Sequence, residues 1–99
     1  MSTQHDSETL ERTKFKVPAM WHVVLHNDEF TPMDFVVYLL EEVFNKVEEE
    51  AEEIMLKVHN EGRARVGRYT KEVALTKVHQ ATELAEMNKH PLLVTAEEE

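Results

Sequence analysis

Ninety-nine residues carry 20 acids against 11 bases, a formal net charge of -9, with 41% apolar and 31% charged residues. That acidity argues against gripping nucleic-acid phosphates or anionic membrane surfaces, which need Lys and Arg. The chain has no cysteine, which excludes a disulfide framework, a thiol nucleophile and every thiolate metal site.

Residues 1–17 are polar, charge-balanced and without periodicity, and read as a flexible N-terminal arm ahead of a core domain over 18–99. From Met20 to His26 the pattern alternates, with Trp21, Val23 and Leu25 on one side and His22, Val24 and His26 on the other, which predicts a strand. Asn27-Asp28-Glu29-Phe30 reads as a turn. Thr31 is then placed to cap a helix running to about Phe44, with Pro32 at its first position and Asp34 at capping-box spacing. Its core-facing residues are Phe35, Val36, Leu39, Leu40 and Val43. A second helix is predicted over roughly Glu48 to Asn60, with Val47, Ala51, Ile54 and Val58 as its apolar stripe and Gly62 as its stop.

Arg63 to Tyr69 reads as a second strand, with Gly67 at a bulge or a close contact. Thr70 caps a third helix that buries Ala74, Val78, Ala81 and Ala85 and ends at Asn88. Residues 91–95 form a third strand, after which the chain frays into glutamates. The expected order is β-α-α-β-α-β, an α+β fold. In it a three-stranded antiparallel sheet is covered on one face by three helices. The excess acid sits in residues 41–53 and in Glu97, Glu98 and Glu99, where it predicts solvation rather than a partner. No apolar run approaches the ~20 residues of a membrane span, and the first fifteen residues lack the apolar stretch of a secretory signal. The expected setting is cytoplasmic.

Catalytic constellations are weak. Six histidines are present, but no HExxH motif occurs, and His22 and His26 on one strand stand ~13 Å apart, too far to share an ion. No metal or other cofactor is expected. The only serines, Ser2 and Ser7, lie in the arm, and two glycines cannot build a phosphate loop. Asp28 and Glu29 have carboxylate chemistry open to them, although adjacent acids at a strand-to-helix junction commonly form the turn. Met55 and His59 share one face of the second helix; Met55 fills core or lines a pocket. Together with Met33, these residues suggest a small apolar pocket with an acceptor-rich rim, suited to a cationic amine attached to a hydrophobic side chain.

The run Val24-Leu25-His26-Asn27-Asp28-Glu29-Phe30-Thr31-Pro32-Met33-Asp34-Phe35-Val36 closely resembles the signature of ClpS, the adaptor of the bacterial Clp protease. Ile54 to His59 followed by Gly62, Thr70 to Lys77, and His90-Pro91-Leu92-Leu93 match the same family in order and spacing. The resemblance implies a non-enzymatic adaptor. Such an adaptor recognises N-degrons, protein N-termini beginning with Leu, Phe, Trp or Tyr, and hands them to the N-domain of the AAA+ unfoldase ClpA. By position, Asn27, Asp28 and His59 would bind the α-amino group and first peptide unit. Thr31, Met33, Val36, Met55, Val58 and Leu92 would line the hydrophobic pocket, with Glu29 at its rim where many members carry Asp. Glu72 and Lys77 match positions that contact the unfoldase, and the arm matches the family's delivery extension. The rival expectation is a module of this fold that binds or modulates the unfoldase without presenting substrate.

Overall fold

The structure is a computed structural model that describes residues 18–99; the arm expected over residues 1–17 lies outside them. Strand β1 spans Met20–His26, helix α1 Met33–Phe44, helix α2 Glu48–Glu61, strand β2 Arg63–Thr70, helix α3 Lys71–Met87 and strand β3 Leu93–Glu98. The sheet order is β2-β1-β3, with β1 antiparallel to both neighbours. This is the β-α-α-β-α-β arrangement that the periodicities predict.

Alternation along β1 divides the sheet into two unlike faces. Val23 and Leu25 join Ala64, Val66 and Val94 from the neighbouring strands beneath the buried residues of all three helices. Trp21 and Tyr69 pack against the edge of that cluster. The opposite face carries His22, Val24 and His26, and no helix covers it. Val24 is nevertheless fully buried. Arg65 and Thr95 stand across from it on the two neighbouring strands.

β2 carries one extra residue opposite the Val23–Val24 step. That bulge turns both Val66 and Gly67 toward the helices. A Cβ on Gly67 would run into the Tyr69 ring, so both readings of this glycine, bulge and close contact, apply to it. The ammonium of Lys71 sits 5.3 Å from the centre of the Trp21 ring on the same side of the domain.

Two expectations need correction at the helix starts. Pro32, not Thr31, occupies the capping position of α1, and no side chain caps it. Thr31 lies one residue outside the capping position, and its hydroxyl donates to Asp28 Oδ2 at 2.7 Å. Val47 is 61% exposed rather than part of the apolar stripe of α2, since it precedes the helix and its extended backbone turns it outward. At α3 the reading holds, with the Thr70 hydroxyl accepting from the Val73 N–H.

The third strand is longer and later than its apolar residues suggest. It runs to Glu98, and Glu97 and Glu99 do more than keep the end solvated. The Arg63 guanidinium donates to Glu97, while Arg68 and His22 both meet the Glu99 carboxylate, at 2.8 and 2.9 Å. Those bonds hold the Glu99 carboxyl down to about 2. The exposed geometry makes each pair individually modest, but together they fix the register of a strand whose sequence is poor in β-formers.

Candidate functional site

The chain turns sharply between β1 and α1, and one side chain organises that turn. Asp28 Oδ1 accepts from the N–H groups of Phe30 and Thr31 at 2.8 and 2.7 Å, and Oδ2 accepts from the Thr31 hydroxyl. Partial burial pushes the Asp28 carboxyl up, but the Thr31 and Phe30 bonds, with the nearby His90, outweigh it and hold it below the usual range. Asp28 is therefore a turn-former, as adjacent acids at such a junction commonly are. A carboxylate has about four lone-pair positions, so with three taken it keeps its charge and roughly one further acceptor position for anything outside.

A second constraint brings α2 to this turn. The N–H of Asn27 donates to the Gly62 carbonyl at 2.9 Å, and the Gly62 N–H closes α2 onto the Val58 carbonyl. Gly62 has φ of 90°, a left-handed conformation that glycine adopts without steric cost. The end of β1 is thus tied to the end of α2, one turn from His59.

Between them lies a cleft of about 250 Å³, measured out to its mouth. Asn27, Asp28 and His59 line it together with Thr31, Met33, Val36, Met55, Val58 and Leu92. Val36, Val58 and Leu92 are buried and form an apolar floor. Met33, 48% exposed, stands at the opening, where an unbranched thioether adapts to what enters. The structure thus brings together nine residues that are scattered from position 27 to 92. It adds His26, which also lines the cleft and whose ring Nε2 lies 2.8 Å from the Thr95 hydroxyl. The strand alternation sends the His26 ring to the outer sheet face, and only its place as the last residue of β1 puts it beside the cleft.

Three expected residues lie elsewhere. Glu29 is exposed on the turn and does not line the cleft. Glu72 is exposed in the first turn of α3, acidic where the helix dipole favours it. Lys77, on the same helix, is half-buried and donates from Nζ to the Val43 carbonyl of α1 at 2.8 Å. Among the described residues no group of three or more His, Asp or Glu is arranged to hold a metal ion, and no helix is long and apolar enough to cross a membrane.

Comparison with known proteins places this geometry. The family described as ATP-dependent Clp protease adaptor protein ClpS matches residues 16–95. The ATP-dependent Clp protease adapter protein ClpS of Vibrio atlanticus (strain LGP32) is 57% identical over 88 residues, covering 89% of this chain and 83% of that protein. Its counterpart in Deinococcus radiodurans is 54% identical over 93 residues, 94% of this chain and 82% of the other. Among solved structures, Agrobacterium tumefaciens ClpS2 bound to L-phenylalaninamide superposes with a TM-score of 0.81 at 35% identity, covering 83% of this chain and 99% of that one. The chain belongs to the ClpS family of Clp protease adaptors, proteins that serve a Clp protease as adaptors and not as enzymes.

Proposed function

We propose that the cleft holds the first residue of a protein whose N-terminus is Leu, Phe, Trp or Tyr, and that the chain delivers such proteins to a ClpA-type unfoldase. The observation that carries this reading is the meeting of Asn27, Asp28 and His59 at the rim of a cleft with an apolar floor. An α-ammonium has three donors and one charge. Asp28 supplies the opposite charge and its one remaining acceptor position, so the Asn27 amide oxygen and a neutral His59 imidazole take the other protons. Val36, Val58 and Leu92 receive the side chain, and Met33 and Met55 adapt around it. The neighbouring structure that holds L-phenylalaninamide, a free amine on a phenylalanine side chain, supports the same ligand chemistry.

Fluorescence anisotropy with a Phe-initiated peptide and its N-acetylated twin tests the reading. Binding of the first and loss of at least tenfold in affinity for the second is expected; equal binding would overturn it.

Delivery would use α3, where Glu72 is open to a partner and Lys77 is not yet free. Its ammonium would have to leave the Val43 carbonyl, or else dock through its methylene stem. The arm would supply the segment that the unfoldase engages. Truncating residues 1–17 should leave peptide binding intact while degradation of an N-degron substrate is lost.

A further inference from the structure

We infer that a second depression beside the cleft receives an arginine or lysine side chain of the same bound substrate, within about three residues behind its first. The inference rests on the reading of the cleft as a site for a chain's N-terminus. The depression is an open groove of about 600 Å³ lined by Pro32, Asp34, Phe35, Tyr38 and His90.

Groove and cleft share their walls. The first turns of α1 separate them: Met33 and Val36 line the cleft, while Pro32, Asp34, Phe35 and Tyr38 line the groove. The segment leading into β3 forms the other side of both, through Leu92 in the cleft and His90 in the groove. An extended chain advances ~3.3–3.6 Å per residue, and a helix with its side chains is ~10–12 Å across. A substrate leaving the cleft over α1 therefore reaches the groove in about three residues.

The groove has a consistent chemistry. Its aromatic wall is preset: the His90 ring meets Phe35 edge-on at 4.6 Å, and Tyr38 lies tilted at 6.1 Å from the same ring. Phe35 is buried, but Tyr38 is 46% exposed and has ring surface left for a ligand. Asp34 is exposed and forms no salt bridge with any described residue. An unpaired carboxylate beside an open phenol ring suits a guanidinium, which stacks on the ring while pairing with the acid, and less closely an ammonium. An acidic substrate residue there would meet Asp34 and gain nothing from the ring.

The test uses the full chain and Phe-initiated peptides carrying Arg, Ala or Glu at position two, three or four, read by anisotropy at pH 7.5. At one of these positions the Arg peptide should bind about fivefold tighter than the Ala peptide, and the Glu peptide more weakly than either. The Arg-to-Ala ratio should fall below about twofold in Asp34→Asn and shrink in Tyr38→Ala. It should persist in Glu52→Gln, which removes an equal charge from the solvent side of α2. A ratio near one in the native chain overturns the inference. So does a ratio that survives Asp34→Asn, which would mean that the protein's overall negative charge is the cause. If no Phe-initiated peptide binds, the adaptor reading of the cleft fails and this inference fails with it.

Discussion

At its N-terminal end, α1 is approached by a turn that a carboxylate three residues away holds in place, with Asp28 accepting from Phe30 and Thr31. At its C-terminal end the helix has no basic residue in its last turn. Asn45 turns into the left-handed region, and the N–H groups of Asn45 and Lys46 fold back onto the Leu40 carbonyl. The Val43 carbonyl is left to an ammonium 34 residues downstream, that of Lys77. One end is held by neighbours in sequence and faces the ligand cleft. The other is held by a different helix, the one that carries the expected unfoldase contacts. Local bonds make the cleft end self-sufficient, whereas the far end depends on the packing of α1 against α3.

The largest effect should come from breaking the local end. Asp28→Ala removes three hydrogen bonds to a charged acceptor and should cost about 2 kcal/mol in urea unfolding, with peptide binding lost as well. Lys77→Met keeps the packed stem and removes only the donor to Val43. It should cost about 1 kcal/mol, one charge-assisted bond at a partly buried helix end. The two ends lie about 18 Å apart along the helix, so the double variant should be additive within about 0.5 kcal/mol. A larger coupling would show that α1 responds as one unit.

Acid separates the two ends more finely. The native Asp28 carboxyl is lowered relative to its ordinary value of 3.8. Its contribution is therefore complete above that value and is lost as pH falls through the lower native one. The stability gap between the native chain and Asp28→Ala should close as pH falls below the ordinary carboxylate range, while the Lys77→Met gap, which involves no carboxylate, should persist. The smallest change is Thr31→Val, which removes one hydroxyl donor and keeps the shape; about 0.5–1 kcal/mol is expected.

The same contrast explains what the sequence makes legible. The strand alternation around Val23 and Leu25, the Thr70 cap and the Gly62 stop are local signals, and the elements they predict are the ones observed. Asp28, Met33, Met55 and His59 suggest a pocket by residue type, and the family resemblance supplies the rest of its lining; spacing alone leaves Met55 open between core and pocket. What escapes is mostly non-local. Thr31 is the local exception: it reads as a cap, but the capping position falls one residue later and its hydroxyl donates to Asp28 three residues upstream. Glu97 and Glu99 read as a fraying end because their partners, Arg63, Arg68 and His22, are brought alongside only by the sheet. Nothing in the sequence around Lys77 shows its bond to the Val43 carbonyl, for the same reason. The groove beside the cleft escapes as well, since only tertiary packing brings Asp34 and His90 to line it together.

The place of β1 in the middle of the sheet has a consequence for how the domain is made. Trp21 faces Tyr69 on one side and Glu98 on the other, so the first strand synthesised waits for the last. Until β3 is available, Val23 and Leu25 lack a complete sheet, and α3 lacks the strand that completes its packing surface. Contacts this distant along the chain slow folding, because loop closure precedes the gain from pairing. A ribosome-bound chain that has not yet released β3 should be aggregation-prone, because β1 then has only one of its two neighbours.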